Sequence, residues 1–327
     1  MLQTLPLVLF IILAEVSIGS VCVLVFLDWR NEVKRGFLIS YALIYLGLAG
    51  LTYLVQQNFA TPALLNTFAR LDKTWTGYQS LPLLLFFLLL IPYSLFILLD
   101  RHAGVDGKER AEKEDAGEKG SRFSVLRILR LASGGGTVLA GLVTLFVMAM
   151  TYRFLGGAGL GEIMTVPGFF AAAFALGGVM TAMWLGHWYL VTPALSEKPL
   201  LFSTTLVLLA IVAQVIFTVL SGQIFVSASQ PSVSPGSTTV ATPVPGPAAP
   251  GSQIKPAGAP VVTPLGADVV GWLHLVVGFA LPLVLGVLAW KLVRDRSFQS
   301  ATGMLYLIVV LTLAGEIMAR GLFLARI

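Results

Sequence analysis

Charged residues, cysteine and histidine are all scarce in this chain. Only 11% of its 327 residues are charged, whereas soluble domains carry about 25%. Its single cysteine, Cys22, excludes an intrachain disulfide and a CxxC metal or redox pair. The three histidines, His102, His187 and His274, are too few for most His-rich metal sites. No GxSxG or HExxH pattern occurs, so an autonomous hydrolase is the least favoured function.

Long apolar runs are what the sequence has in abundance. A helix that crosses a bilayer needs roughly 20 mostly apolar residues. Eight runs meet this length: Leu5–Leu27, Phe37–Val55, Leu81–Leu99, Leu131–Tyr152, Val166–Leu190, Leu200–Val226, Val269–Val293 and Met304–Phe323. They predict an all-α, polytopic transmembrane bundle of about eight helices. We expect the first run to be a retained helix rather than a signal peptide, because no basic residue precedes it.

Lysine and arginine are distributed unevenly between the two ends of these runs. Fifteen of them lie towards one side and six towards the other. Because Lys and Arg concentrate in cytoplasmic loops, the N-terminus and the C-terminus are both predicted outside. The location expected from this bias is a bacterial inner (cell) membrane, with membrane lipid as the surrounding partner. The net charge of +5 reflects this orientation and does not indicate nucleic-acid binding.

Two connecting segments differ from the rest in composition. Asp100–Arg122 is charged and poor in apolar residues, so we expect a mobile cytoplasmic loop with His102 solvated. Ser227–Asp268 contains nine of the seventeen prolines and predicts an external linker, either a tolerated insertion or a docking strap for a partner. The chain therefore divides into helices 1–3 (1–99), a charged loop (100–127), helices 4–6 (128–226), the linker (227–268) and helices 7–8 (269–327).

Ionisable residues inside the apolar runs are the first candidates for function. A charge at the bilayer centre costs about 2.5–3.5 kcal/mol on insertion scales, so it needs a partner, a cavity or a role. Glu316 and Arg320 are four residues apart, which places them on one helix face. They form either a self-neutralising pair or part of a functional site. Glu15 has no such local partner, so its partner must come from another helix, with Arg320 and His274 as candidates.

Polar groups collect in the predicted outer half of the bundle. Such a pocket suits a ligand with a polar head and a lipid tail, and a quinol (menaquinol or ubiquinol) fits that description. Glu or His side chains can accept the protons that its oxidation releases. A transporter vestibule would have similar residues. The candidate quinone-binding residues are Glu15, Asn58, Tyr152, Arg153, His274, Glu316 and Arg320.

A haem held by two histidines of this chain is not expected. His187 is near the inner end of its run and His274 near the outer end of another run. At 1.5 Å per residue the two are separated by about 20 Å along the membrane normal. One iron cannot bind both, so a bis-histidine haem would need a ligand from a partner subunit. We predict neither haem nor metal in this chain.

The last run, residues 311–323, reads LTLAGEIMARGLF. It resembles the ending of the membrane anchor subunits of the DMSO-reductase group, within the NrfD/polysulfide-reductase family. The residues that match the family pattern are Gly315, Glu316, Arg320 and Phe323, whereas Ala319 and Leu324 depart from it.

Two weaker similarities to the same family follow other runs. Pro62 matches a family motif in which Asn58 replaces a histidine associated with quinol. Tyr152-Arg153, followed by Pro167–Phe170, gives another partial match.

The resemblance implies a function. Such anchors bind no metal themselves and pass electrons from quinol to an iron–sulfur subunit and a molybdopterin subunit. Glu316 and Arg320 would then shape the quinol pocket, and Glu15 or His274 would take protons. The chain would be a quinol-binding subunit, not a complete enzyme. A small-solute transporter and a purely structural subunit of a membrane energy-transducing complex remain the alternatives.

Overall fold

The computed structural model describes residues 4–106, 125–192, 195–221 and 267–327. Within these residues the chain is helical apart from short connections, and no strand is present. The helices are α1 (Leu5–Arg30), α2 (Arg35–Phe59), α3 (Pro62–Leu65), α4 (Lys73–Thr76), α5 (Ser80–Leu99), α6 (Val125–Tyr152), α7 (Leu160–Val191), α8 (Lys198–Leu220), α9 (Ala267–His274), α10 (Leu281–Arg294) and α11 (Phe298–Leu324).

The predicted all-α transmembrane bundle is confirmed. Eight helical spans in the described part of the chain are long and apolar enough to cross a membrane. The protein is therefore a multi-pass membrane protein. Several spans are longer than their apolar runs: α6 begins at Val125 rather than Leu131, and α11 begins at Phe298 rather than Met304. Helices extend beyond the apolar core where polar side chains at their ends find partners or water.

Helix α1 lies at the centre of the bundle. In its most apolar window 89% of the residues are buried, against at most 56% in any other span. It contacts α2, α6, α7 and α11. Its polar side chains therefore face protein rather than lipid; the Ser17 hydroxyl, for example, lies 2.9 Å from the Thr52 hydroxyl of α2.

Helices α1 and α7 approach so closely that only glycine fits at the crossing. A Cβ atom added to Gly19 would lie 1.8 Å from the carbonyl oxygen of Ala173, and one added to Gly177 would lie 2.1 Å from the carbonyl carbon of Gly19. Small residues let membrane helices bring their backbones together, which strengthens van der Waals packing where no hydrophobic effect drives association. This crossing fixes the position of α1 in the bundle.

The two ends of the bundle are each held together by contacts between distant segments. At one end Arg70 donates to the carbonyl of Arg326 at 2.8 Å, and the Asp72 amide donates to the carbonyl of Thr151 at 3.0 Å. At the other end the Val105 amide donates to the carbonyl of Val33 at 3.0 Å. Eight crossings place both termini at the same end. The assignment of that end to the outside remains a prediction from the Lys and Arg distribution.

The two unusual segments lie largely outside the described residues. The structure does not describe positions 107–124 of the charged loop or 222–266 of the Pro-rich linker. His102 is exposed, as expected. Asp100, which we placed in the solvated loop, differs from that expectation: it is buried, because its carboxylate pairs with Arg130 of α6 at 2.7 Å.

Candidate functional site

Helix α11 presents Glu316 and Arg320 towards the buried Glu15 of α1. The Arg320 guanidinium donates to both oxygens of the Glu15 carboxylate, from Nη2 to Oε1 and from Nε to Oε2, the latter at 3.4 Å. Its Nε also lies 3.7 Å from Oε2 of Glu316. The prediction that the partner of Glu15 comes from another helix is therefore confirmed, with Arg320 as that partner. Glu316 and Arg320 share a face, as their spacing predicts.

A fourth side chain, Gln214 of α8, completes the group. Its amide Nε2 donates to Oε1 of Glu316. We call Glu15, Gln214, Glu316 and Arg320 the outer-half cluster; all four are buried. Sequence analysis missed Gln214, although it is the one amide side chain among the apolar residues of α8. The cluster combines two carboxylates with one guanidinium, so it carries one negative charge when every group is ionised.

Aromatic rings form one wall of the outer-half cluster. The guanidinium carbon of Arg320 lies 4.1 Å from the centre of the Phe169 ring, a cation–π contact. The Tyr152 ring also stacks on Phe169, at 6.2 Å between ring centres and with 10° between the planes. The Tyr152 hydroxyl is buried and has no hydrogen-bond partner among the described residues. The structure therefore brings Tyr152 to the edge of the site through Phe169.

His274 is placed beside the outer-half cluster by an irregular turn. It ends α9, and the next six residues, Leu275–Ala280, form a π-helical segment. π-Helical segments are rare in proteins, and many of those that do occur lie at functional sites. A Cβ atom on Gly278 would lie 2.8 Å from Cδ2 of His274, and one on Gly315 would lie 2.3 Å from Cα of Gly278. The His274 imidazole thus packs against Gly278, at the point where the π-helical segment touches Gly315 of α11. Gly315 directly precedes Glu316, so His274 lies close enough for Glu316 and Arg320 to act on it electrostatically.

Two predicted site residues lie elsewhere. The Asn58 side chain donates to the carbonyl of Leu54 at 2.7 Å and is exposed, so it does not join the outer-half cluster. Arg153 pairs with Asp72 at 2.9 Å and with Glu162 at 3.4 Å near the end of the bundle. These contacts explain both positions, because each side chain finds a nearer partner than the cluster.

Replacing Gln214 with leucine tests whether the cluster depends on its amide. The change leaves a buried carboxylate oxygen of Glu316 without its donor, and loss of one partner of a buried hydrogen bond costs about 1–3 kcal/mol. We expect thermal unfolding of the purified protein at a lower temperature. Thr205→Val, nine residues earlier on the exposed face of α8, serves as the control, because the Thr205 hydroxyl donates to the carbonyl of Leu201 in its own helix. Equal stability of Gln214→Leu and wild type would show that the amide contributes nothing.

An apolar groove of about 610 Å³ lies between α7 and α8. Its lining includes Pro167, Phe170, Phe174, Leu209, Ala213 and Phe217. Phe170 follows Phe169 in the chain and Ala213 precedes Gln214, so the two helices that line the groove also supply contacts to the outer-half cluster. The groove is lined by apolar side chains of both helices.

Comparisons with known proteins support the fold. Neither a family model nor a curated protein matches the sequence. Among solved structures, a chain of the bd oxidase from Geobacillus thermodenitrificans is similar, with a TM-score of 0.55 and 14% identity; the match covers 98% of this chain and 85% of that one. Within the described residues no group of three or more His, Cys, Asp or Glu side chains could hold a metal ion. The structural similarity shows that the protein shares the fold of a membrane helical bundle that is also found in an oxidase.

Proposed function

We propose that this chain is a membrane subunit of a respiratory oxidoreductase complex and that it binds a quinol in the outer half of the bundle. The observation that carries the proposal is the buried outer-half cluster, two carboxylates sharing one guanidinium, with His274 beside it. Buried ionisable groups in a membrane protein mark functional sites more often than structural ones. The similarity of the whole chain to a bd oxidase chain supports the respiratory setting.

The two carboxylates of the cluster are not equivalent. Glu15 accepts two bonds from Arg320, whereas Glu316 accepts one from the neutral amide of Gln214 and lies 3.7 Å from the guanidinium. Charge-assisted bonds are about twice as strong as neutral ones, so Arg320 holds Glu15 more firmly than Gln214 holds Glu316. In our proposal Glu316, which has fewer charge-assisted contacts, is the carboxylate that takes the proton.

This arrangement suits the proton chemistry of quinol oxidation. A quinol that becomes a quinone releases two protons and two electrons. In our proposal one proton passes from a quinol hydroxyl to the Glu316 carboxylate and the other to the His274 imidazole. The electrons leave to a redox group of a partner subunit. The proton taken by Glu316 neutralises the excess negative charge of the cluster, which favours the transfer.

The groove between α7 and α8 fits the lipid tail of such a ligand. Its lining is apolar, and the helices that form it also contribute Phe169 and Gln214 to the polar end. The iron–sulfur and molybdopterin partners implied by the resemblance of α11 find no support in the comparisons and stay a prediction. The quinone type also stays a prediction.

Replacing Glu316 with glutamine tests the proposed proton acceptor. Glutamine keeps the shape but cannot take a proton, and loss of a positioned general base lowers kcat by about 10²–10⁴-fold. We expect slower oxidation of both decylubiquinol and a menaquinol analogue by the complex isolated from native membranes. KM should change little, because the groove and its apolar contacts remain. Glu197→Gln is the matched control, since Glu197 pairs with Arg296 at the opposite end of the bundle.

Two outcomes would contradict the proposal. Full quinol-dependent turnover in Glu316→Gln would show that this carboxylate takes no essential proton. Isolation of the chain alone from its native membrane, stable and without bound quinone, would favour a solute transporter and make uptake assays the next step.

A further inference from the structure

A second group of buried charges lies at the end of the bundle opposite the outer-half cluster. Arg130 of α6 is placed between Asp28 of α1 and Asp100, the residue after α5. Tyr93 of α5 donates to Oδ2 of Asp28 at 3.3 Å. We call these four residues the inner-side cluster. The side chains of the three charged residues are at most 2% exposed, so lipid and bulk water do not reach them.

The two carboxylates of the inner-side cluster are held unequally. Oδ2 of Asp100 accepts from Nη1 of Arg130 at 2.7 Å, and its Oδ1 accepts from the His102 amide at 3.0 Å. Oδ2 of Asp28 lies 3.2 Å from Nε of Arg130, but the two atoms do not have hydrogen-bond geometry. Oδ1 of Asp28 has no hydrogen-bond partner among the described residues. The strong charge-assisted bond therefore belongs to Asp100.

The surrounding charges do not compensate the second carboxylate. One guanidinium faces two carboxylates, so the inner-side cluster has one excess negative charge if both are ionised. Arg127, which lies three residues before Arg130 on α6, is exposed. Arg35 is occupied elsewhere, since it donates to the backbone carbonyls of Asp100 and Leu98. An uncompensated buried charge is very costly, and a carboxyl group avoids that cost by holding a proton.

We propose that the inner-side cluster is a proton-binding site in which Asp28 holds the proton and Asp100 is the permanent counter-ion of Arg130. The ligand is a single proton exchanged with the aqueous phase at that end of the bundle, where Asp100 accepts from the His102 amide. A proton reaches or leaves the Asp28 carboxyl by way of the Tyr93 hydroxyl, which donates to that carboxyl. This inference does not depend on quinol binding at the other cluster.

Infrared spectroscopy of the purified full-length protein in lipid nanodiscs tests the proposal. A protonated carboxyl group has a C=O stretching band that an ionised one lacks and that shifts in heavy water. We expect Asp28→Asn to lose one such band relative to wild type while keeping wild-type thermal stability, because asparagine resembles the protonated form. Asp100→Asn should lose the same band, since Asp28 must then ionise to pair with Arg130. The Glu316→Gln variant identifies any carboxyl band that comes from the outer-half cluster, because that band alone would be lost in it.

Tyr93→Phe provides a second measurement that does not depend on the stability of the aspartate variants. It removes the hydroxyl that donates to Asp28, so the band should remain and move to a different frequency. An Asp28→Asn variant that is as unstable as Asp100→Asn and loses no band would overturn the proposal in favour of a permanent three-member salt bridge. A missing wild-type band, together with stability that rises with sodium or potassium concentration, would assign the site to a cation instead.

Discussion

Replacing Arg320 with methionine destabilises the folded bundle by about 3–5 kcal/mol, the cost of removing one partner from a buried ion pair. Among the described residues Arg320 is the one cation in contact with both Glu15 and Glu316, and its ring contact with Phe169 is lost as well. Methionine keeps much of the side-chain volume, so the effect reports charge and hydrogen bonding rather than a cavity. Thermal unfolding in detergent, with the fraction of monodisperse protein as the readout, measures it.

Two further variants interpret the Arg320→Met result. The double variant Glu15→Gln with Arg320→Met should recover part of the stability, because it leaves Glu316 as the one carboxylate of the cluster without its cation. Arg153→Met breaks the more exposed pairs with Asp72 and Glu162, and we expect a loss of only about 0–1 kcal/mol there. Equal effects of Arg320→Met and Arg153→Met would mean that the outer-half cluster is solvated and no different from a surface ion pair.

Replacing Gly19 with valine has the other large expected effect. Its Cβ atom would lie 1.8 Å from the Ala173 carbonyl oxygen, which is backbone and cannot rotate away. The α1–α7 crossing must open, and overpacking costs about 1–3 kcal/mol even where side chains can adjust. We expect little or no folded protein in the membrane, as measured by size-exclusion chromatography of a fluorescent fusion.

Gly47→Val is the matched control for this change. Gly47 is also within a transmembrane helix, but a Cβ atom there meets nothing within 4 Å. The two variants share the change in helix propensity and hydrophobicity, so a difference between them reports the crossing alone. Similar amounts of folded protein from both would show that α1 and α7 do not pack this closely in the membrane.

The two charged clusters share a design that centres on α1. Each joins two carboxylates to one arginine, and α1 supplies one carboxylate to each, Glu15 to the outer-half cluster and Asp28 to the inner-side cluster. Thirteen residues separate them, about 20 Å along the helix. Helix α1 thus carries one buried carboxylate near its middle and another near its C-terminal end.

Only the structure could reveal the inner-side cluster. In the sequence Asp28 and Asp100 end apolar runs, and Arg130 precedes one, so all three resemble solvated residues at the membrane surface. Arg130 even counted among the cations that set the orientation. Their burial follows from α6 beginning earlier than its apolar run and packing against α1 and α5, a tertiary effect that local composition does not report.

The sequence by itself determined the class of this protein, the number of its spans and the identity of its costly residues. Apolar length dictates a transmembrane helix, and a charge within that length is unusual wherever it occurs. The i,i+4 spacing also placed Glu316 and Arg320 on one face. Only the tertiary structure decided which helices meet, and hence that Arg320 binds Glu15, that Gln214 joins them and that Asn58 does not. Helix partners depend on close packing at sites such as Gly19 and Gly177, which hydrophobic periodicity leaves open because lipid and protein interior are equally apolar.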